Sequence, residues 1–470
     1  MGRERRVSWF AAALFSLTAA VVGWSEGDSP TAEPQAEAGR KAEAPSSTPL
    51  GPAAARGEAD VLLGTMHPWH VRILRSDLLK ACKTLREYRG PDGKLPDPHY
   101  QPTGGTYYVA PTGKDNADGS AAAPWATLTA ASRRLKPGDT LLARGGTYRG
   151  EIVIRGAGTP EAPIVIRAAP GEHVLLAYLE SGPVVNEKDK HYGPVVSLAG
   201  CRYLEFSGFE IRGALEKFGH DVCKYSENGI SVSGGGGEGV RILDNEIHHC
   251  GHCGVKEMGH GGHHLLVDGN LVYDIGHPGA HDHGLYCPAN DCTIRRNIFL
   301  NCNAYGIHMY TAPERGSLCA NIAAGCHAYG IILAGPDTAV YNNVTYMNEQ
   351  GGLLLFREAA RRNRVFNNLF YETRPGLNYD CCGDRKVYPR GNVADYNAFF
   401  PTRKIAAGVP PEDTYDGGHG VLADPKCADP ARLDFRLLPG SPLIDTGKDV
   451  GLPYAGAAPD IGLFESPARR

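Results

Sequence analysis

The chain has no surplus of positive charge. Its 48 Lys and Arg face 52 Asp and Glu, a formal net charge of −4, so no global basic field argues for a nucleic-acid partner. Methionine is scarce, five in 470 residues, while Gly (60) and Pro (34) are abundant. With 42% hydrophobic residues, this suits a turn-rich β protein better than a helical one. A second Cys-x-x-Cys pair is lacking, so the run HHCGHC (248–253) is weak evidence for zinc. The leucine ladder of leucine-rich repeats is also missing, which removes that solenoid class.

What is there begins with a charged MGRERR and an apolar Val7–Gly23 stretch, the pattern of an export signal. No clear A-x-A site follows, and an uncleaved membrane anchor is the alternative. Residues 1–24 are therefore assigned as signal peptide or anchor, and the rest is expected outside the cytoplasm, secreted or tethered. Residues 25–60, rich in Ala, Glu, Pro and Gly, read as a disordered linker. Residues 61–104 form an N-terminal helical segment, with helical spacing in HVRILRSDLLKACKTLREY (70–88).

From Gly229 two marks recur together. A Gly followed by an aliphatic stands at Gly229, Gly254, Gly284, Gly306, Gly330 and Gly352, and an Asn follows each at 245, 270, 297, 321, 343 and 368. The Asn spacing of 25, 27, 24, 22 and 25 residues signals a solenoid. About 25 residues hold three short strands and three turns, one coil of a single-stranded parallel β-helix. Three residues before each Asn stand Ile242, Val267, Ile294, Leu318, Val340 and Val365, a stacked core column. The Asn fit an amide ladder at a turn where Asn tolerates left-handed backbone. Cys250, Cys302 and Cys326 fall in another column of mid-sized residues, so most of the 13 cysteines are expected to be buried thiols. A Cys302–Cys326 bridge is within reach of adjacent coils.

Here the sequence becomes familiar. The run TYYVAPTGKDNADGSAAAPWATLTAA…LKPGDTLLARGGTYRG (106–150) and the tail FRLLPGSPLIDTG with PDIGLFE resemble secreted right-handed parallel β-helix proteins. Many of those are polysaccharide lyases, uronate epimerases or glycosidases. The resemblance spans roughly residues 105–466 and implies an all-β, right-handed β-helix over 105–400, with irregular coils and a tail over 401–470. It is specific for fold and weak for activity.

Two positions after each repeat Gly come Ser231, Lys256, Tyr286, His308, Ile332 and Leu354, which strand alternation points outward. Lys256, Tyr286 and His308 then sit on consecutive coils about 4.8 Å apart, with His281 and His283 at the entrance to the middle strand. Removing the proton beside a uronate carboxyl needs a base and neutralisation of the carboxylate charge, and an acid for the leaving oxygen. Lys256 is expected as base or neutraliser, Tyr286 or His308 as acid/base partner, and His283 as the fourth member. His281, Asp282, Tyr310 and Arg357 are expected to bind substrate, Arg357 as a planar fork on a carboxylate. The resembling lyases and epimerases use Lys, Arg, His and Tyr on such a face. The epimerases' D-P-H-D motif is absent, with AHDHG (280–284) a loose echo, and so is the Asp cluster that holds calcium in one lyase family.

The bland readings are a solvated strip of Lys, Tyr and His, and turn stacking of His248 in a column with Tyr273, Tyr346 and Tyr371. His281-Asp282-His283 could present two imidazoles to a divalent metal, but no convincing ligand set stands out and the cofactor is open. Glu257 falls in an otherwise apolar inward column, where either the strand ends or the carboxyl has a buried partner. The leading expectation is an exported, monomeric enzyme that cleaves or epimerises an acidic polysaccharide. The alternatives are a non-catalytic glycan-binding or cell-envelope protein, and a glycoside hydrolase using Asp282 with Glu257 or Asp221.

Overall fold

The computed structural model describes residues 60–467, apart from 66, 89, 91–94, 179–192, 214–227, 235–236, 259–262, 277–281, 381–387, 402–404, 411–412 and 416. The expected signal or anchor (1–24), the linker up to residue 59, and Asp221, His260 and His281 lie outside the described residues. Among the described residues no helix is long and apolar enough to cross a membrane.

Each coil gives one strand to each of three parallel sheets, which hold 12, 10 and 10 strands among the described residues. The first sheet runs from Thr106–Val109 to Thr414–Tyr415. The second runs from Gly146–Arg149 to Ala398–Phe400, and the third from Ile152–Ile154 to Ala406–Ala407. Strand order follows the chain without a crossing, so the molecule is a right-handed parallel β-helix. The ladders run on past residue 400, where irregular coils were expected. The column Ile242, Val267, Ile294, Leu318, Val340, Val365 pairs Cα by Cα across the first sheet and is fully buried in the lumen.

The repeat Asn side chains hold the coils in step. Asn297 Oδ1 accepts from the backbone N–H and the side-chain amide of Asn270 at 2.9 and 3.0 Å, and Asn297 Nδ2 donates to Asn321 Oδ1 at 3.0 Å. The ladder continues through Asn343 and Asn368 to Asn397. The left-handed residue is not the Asn, as expected, but the one before it: Asp244, Arg296, Ala320, Asn342, Asn367 and Tyr396 have φ of 53–57°. Asn is needed there for its two-sided amide, and the turn tolerates several residue types at the strained position. A second ladder, Asn363 to Asn392 to Asp413, stiffens the last coils and carries no sequence period long enough to reveal it.

The repeat Gly is required by close approach rather than by φ. A Cβ on Gly284 would stand 2.6 Å from the carbonyl oxygen of Gly306, and one on Gly306 2.7 Å from that of Gly330.

The N-terminal segment forms a strand at Ile73–Leu74 and a helix at Arg75–Glu87, shorter than the 70–88 expected. Its Leu78, Cys82 and Leu85 pack with tail residues Leu433, Phe435 and Ile461 over Leu271, Ile298, Leu300 and Ile322. That covers the outer face of the second sheet, which is why Leu271–Ile275 and Ile298–Cys302 are buried on both sides. The ten cysteines among the described residues are all thiols, eight of them buried. Cys302 and Cys326 are hydrogen-bonded neighbours rather than a bridge.

Candidate active site

The third sheet carries the site. Along it Ser231, Lys256, Tyr286, His308, Ile332, Leu354 and Asn378 form one register column. Two flanking columns complete a wall: Cys253, His283, Tyr305 and Tyr329 precede the repeat Gly, and Met258, Pro288, Tyr310 and Phe356 follow it by four. Between them opens a cleft of about 580 Å³ lined by Lys256, Tyr286, His308, His283, Tyr310 and Arg357 among others.

Its centre is aromatic. His308 Nδ1 lies 2.8 Å from His283 Nε2, with the rings near perpendicular (84°) and their centroids 4.3 Å apart. Tyr305 leans on both imidazoles, at 5.2 and 4.9 Å, and Tyr286 meets His308 edge-on at 5.3 Å. Lys256 Nζ lies 5.8 Å from the Tyr286 ring centroid, a cation–π arrangement. At the other end Arg357, itself in a left-handed conformation (φ 63°), lies over Phe356 and donates from Nη1 to Tyr310 Oη at 3.2 Å.

Burial holds the Tyr286 phenol above its ordinary range, with the neighbouring Tyr310 adding to the effect. Tyr286 therefore stays a proton donor at neutral pH. Burial likewise pushes the Cys253 thiol up to about 12, which leaves it unreactive beneath the cleft.

Of the eight residues expected to form the site, the cleft brings together Lys256, Tyr286, His308, His283, Tyr310 and Arg357. Asp282 departs from expectation: it is 1% exposed, tucked against Gly276, with its carboxylate 3.8 Å from His252 Nδ1. His281 lies outside the described residues. Glu257 is the last residue of the Val255–Glu257 strand, fully buried on the inner wall of the cleft. His252 and Tyr305 were missed; the run of His283, Tyr305 and Tyr329 before successive repeat Gly is the signal that marks Tyr305. His248 stacks on Tyr273 at 4.9 Å and binds Glu210 at 3.1 Å, as turn stacking predicts. Among the described residues no group of three or more His, Cys, Asp or Glu is arranged to hold a metal ion.

Residues 107–330 match the family model of the Pel9A-like right-handed β-helix region. Over that range the coil stack is similar to the Pel9A-like right-handed β-helix region. The matched range contains Lys256, His283, Tyr286, His308 and Tyr310; Arg357 lies beyond it. The pectate lyase PEL9 of Emericella nidulans is 41% identical over 71 residues, 15% of this chain and 17% of that protein. The uncharacterized protein YwoF of Bacillus subtilis is 30% identical over 149 residues, 31% of this chain and 29% of YwoF. The chain thus spans less than a third of either curated relative. The crystal structure of pectate lyase Pel9A superposes with a TM-score of 0.54 at 18% identity, over 77% of this chain and 96% of that one. At that identity the likeness is one of fold.

Proposed function

We propose that the protein is an exported polysaccharide lyase that cleaves a uronate-containing polymer by β-elimination. The observation that carries this reading is the assembly of an ammonium, a phenol, an imidazole and a guanidinium along one cleft of a solenoid. The similarity to the pectate lyase PEL9 supports it, and the Val7–Gly23 run supports export. A long groove suits a polymer, and stacked strands hold reacting groups rigidly.

Arg357 and Tyr310 bind the carboxylate at one end. Lys256, charged beside the Tyr286 ring, neutralises the enolate-like charge that develops as the neighbouring C–H breaks. His308 takes that proton, and Tyr286 gives its own to the departing glycosidic oxygen. The C–O bond breaks as the C=C bond forms, and His308 then returns the proton to Tyr286. A hydrolase reading draws little support from the carboxyl groups, since both are buried and only Glu257 lines the cleft, with no second carboxyl opposite it among the lining residues.

The test is incubation of the purified protein with pectate, alginate and glycosaminoglycans while following the ultraviolet absorbance of the unsaturated product. Absorbance should rise with one of them, and Lys256→Ala should lower the rate by about 10²–10³-fold with the fold intact. Binding without turnover would favour a glycan-binding envelope protein; reducing ends without absorbance would favour hydrolysis. A fully active Lys256→Ala enzyme would remove the assignment.

A further inference from the structure

The two imidazoles at the centre of the cleft differ in one respect: His308 is 8% exposed and His283 only 2%. A nitrogen–nitrogen contact of 2.8 Å needs a hydrogen on one ring and a lone pair on the other. Two neutral rings can therefore share one bridging hydrogen. Two fully protonated rings would set N–H against N–H inside a buried contact.

We infer that His283 and His308 act as one proton-sharing unit, in which buried His283 is a positioning residue that fixes the tautomer of His308 and takes up half of its charge. This rests on the lyase reading above for its role in catalysis, though not for its existence. With Nδ1 of His308 donating to His283, Nε2 of His308 presents its lone pair and serves as the base. When Nε2 takes a proton from carbon, the bridging hydrogen shifts toward His283 Nε2, and one positive charge spreads over two rings. Return of the proton to Tyr286 reverses the shift. No electron is gained or lost, and the proton's path is carbon to His308 to Tyr286 to oxygen.

The surroundings explain why sharing matters. From the coil below, Lys256 stands beside Tyr286, and from the coils above Arg357 reaches Tyr310. Both cations oppose a localised imidazolium on His308. The rings of Tyr286, Tyr305 and Tyr310 surround the pair, and burial raises the Tyr286 phenol and the nearby Cys253 thiol above their ordinary values, so neither offers a negative charge to offset them. The acids are Glu257 on the inner wall and Asp282, next to His283 in the chain and turned toward His252. Spreading the charge onto His283 moves it one coil farther from Arg357 and next to Asp282 in the chain.

The experiment is nitrogen NMR of the full chain with labelled histidine, titrated without substrate. In the wild type both rings should change together in two well-separated steps, the behaviour of a coupled pair. His283→Gln keeps a hydrogen-bonding group and should leave His308 with a single step; His308→Gln should do the same to His283. On whichever polymer the wild type cleaves, His283→Gln should lower kcat/KM at least about tenfold, within the range of positioned acid–base catalysis, and shift the pH–rate profile. Two independent single-step curves in the wild type, or a His308 curve that His283→Gln does not alter, would overturn the inference. A wild type that cleaves no acidic polymer removes the lyase reading, while the titration still decides the pair.

Discussion

Asn297 is the point at which the scaffold can be tested with a single atom group. Replacing it with Ala deletes five hydrogen bonds. Its Oδ1 accepts from the Asn270 backbone N–H (2.9 Å) and Asn270 Nδ2 (3.0 Å), and its Nδ2 donates to the carbonyls of Val267 (2.9 Å) and Arg295 (2.9 Å) and to Asn321 Oδ1 (3.0 Å). The partners are not equally affected. Asn270 Nδ2 still has the Ile242 and Asp268 carbonyls, the Arg295 carbonyl still receives the Gly269 N–H, and Asn321 Oδ1 still receives the Asn297 N–H. The Asn270 N–H, in contrast, is left buried with no acceptor, which costs roughly 1–3 kcal/mol. The four remaining bonds, at about 0.5–1.5 kcal/mol each, bring the expected loss to about 3–9 kcal/mol. That is a large share of the roughly 5–15 kcal/mol available to a domain. Urea unfolding followed by circular dichroism and by fluorescence is the assay, with coincidence of the two probes checked because solenoids can unfold in parts. Asn297→Asp should be no better, since a carboxylate cannot donate to the Val267 and Arg295 carbonyls. A loss below about 1 kcal/mol for Asn297→Ala would refute the claim that the amide ladder, rather than strand pairing alone, holds the coils in step.

Two further outcomes follow from other parts of the molecule. Arg357→Ala should raise KM about 10–100-fold with a smaller change in kcat, from loss of a charge-assisted bond of about 1.5–3 kcal/mol; Arg357→Lys should not restore it, because an ammonium lacks the planar fork. His99 binds Asp244 at 3.2 Å and the buried Glu205 at 3.0 Å, and hydrogen bonds to Asp244 and then Glu205 raise it to about 10. A raised folded value means the stabilisation is complete below the unfolded value of 6.5 and is lost as pH rises through 10. Melting temperature should therefore fall between pH 7 and 10, and His99→Gln should flatten that slope; an unchanged slope would contradict the assignment.

How much of this could be read from the sequence depends on whether a residue's neighbours repeat. Lys256, Tyr286 and His308 were legible because two periods fix them: alternation along a strand and a coil of 22–27 residues. The Asn ladder and the lumen column were legible for the same reason. The burial of Asp282 was not, because it packs against Gly276, a contact with no periodic trace. His252 hid in a run that resembles half a metal motif. The role of Arg75–Glu87 was illegible because helical spacing says that one face is buried without saying against what; only the doubly apolar run at Leu271–Ile275 hinted at a second covering layer.

The same columns that make the fold legible also limit the site. The outward column carries titratable side chains on three consecutive coils, Lys256, Tyr286 and His308, between Ser231 on one side and the apolar Ile332 and Leu354, 1% and 3% exposed, on the other. Three coils at about 4.8 Å each place the outer Cα atoms about 10 Å apart, room for two or three sugar units. Beyond them Phe356 and Tyr310 close the outer face, and Arg357 folds back over Phe356 to reach that closed end. Around the buried His283 and His308 a charge interacts more strongly than in open water. A single imidazolium would be costly there, and a bridged pair of rings on rigid strands is the arrangement that admits the charge without moving the backbone. The scaffold's rigidity and the pair's shared hydrogen are thus two parts of one solution, and a variant that loosens the Asn ladder between Tyr286 and His308 should disturb proton transfer before it unfolds the chain.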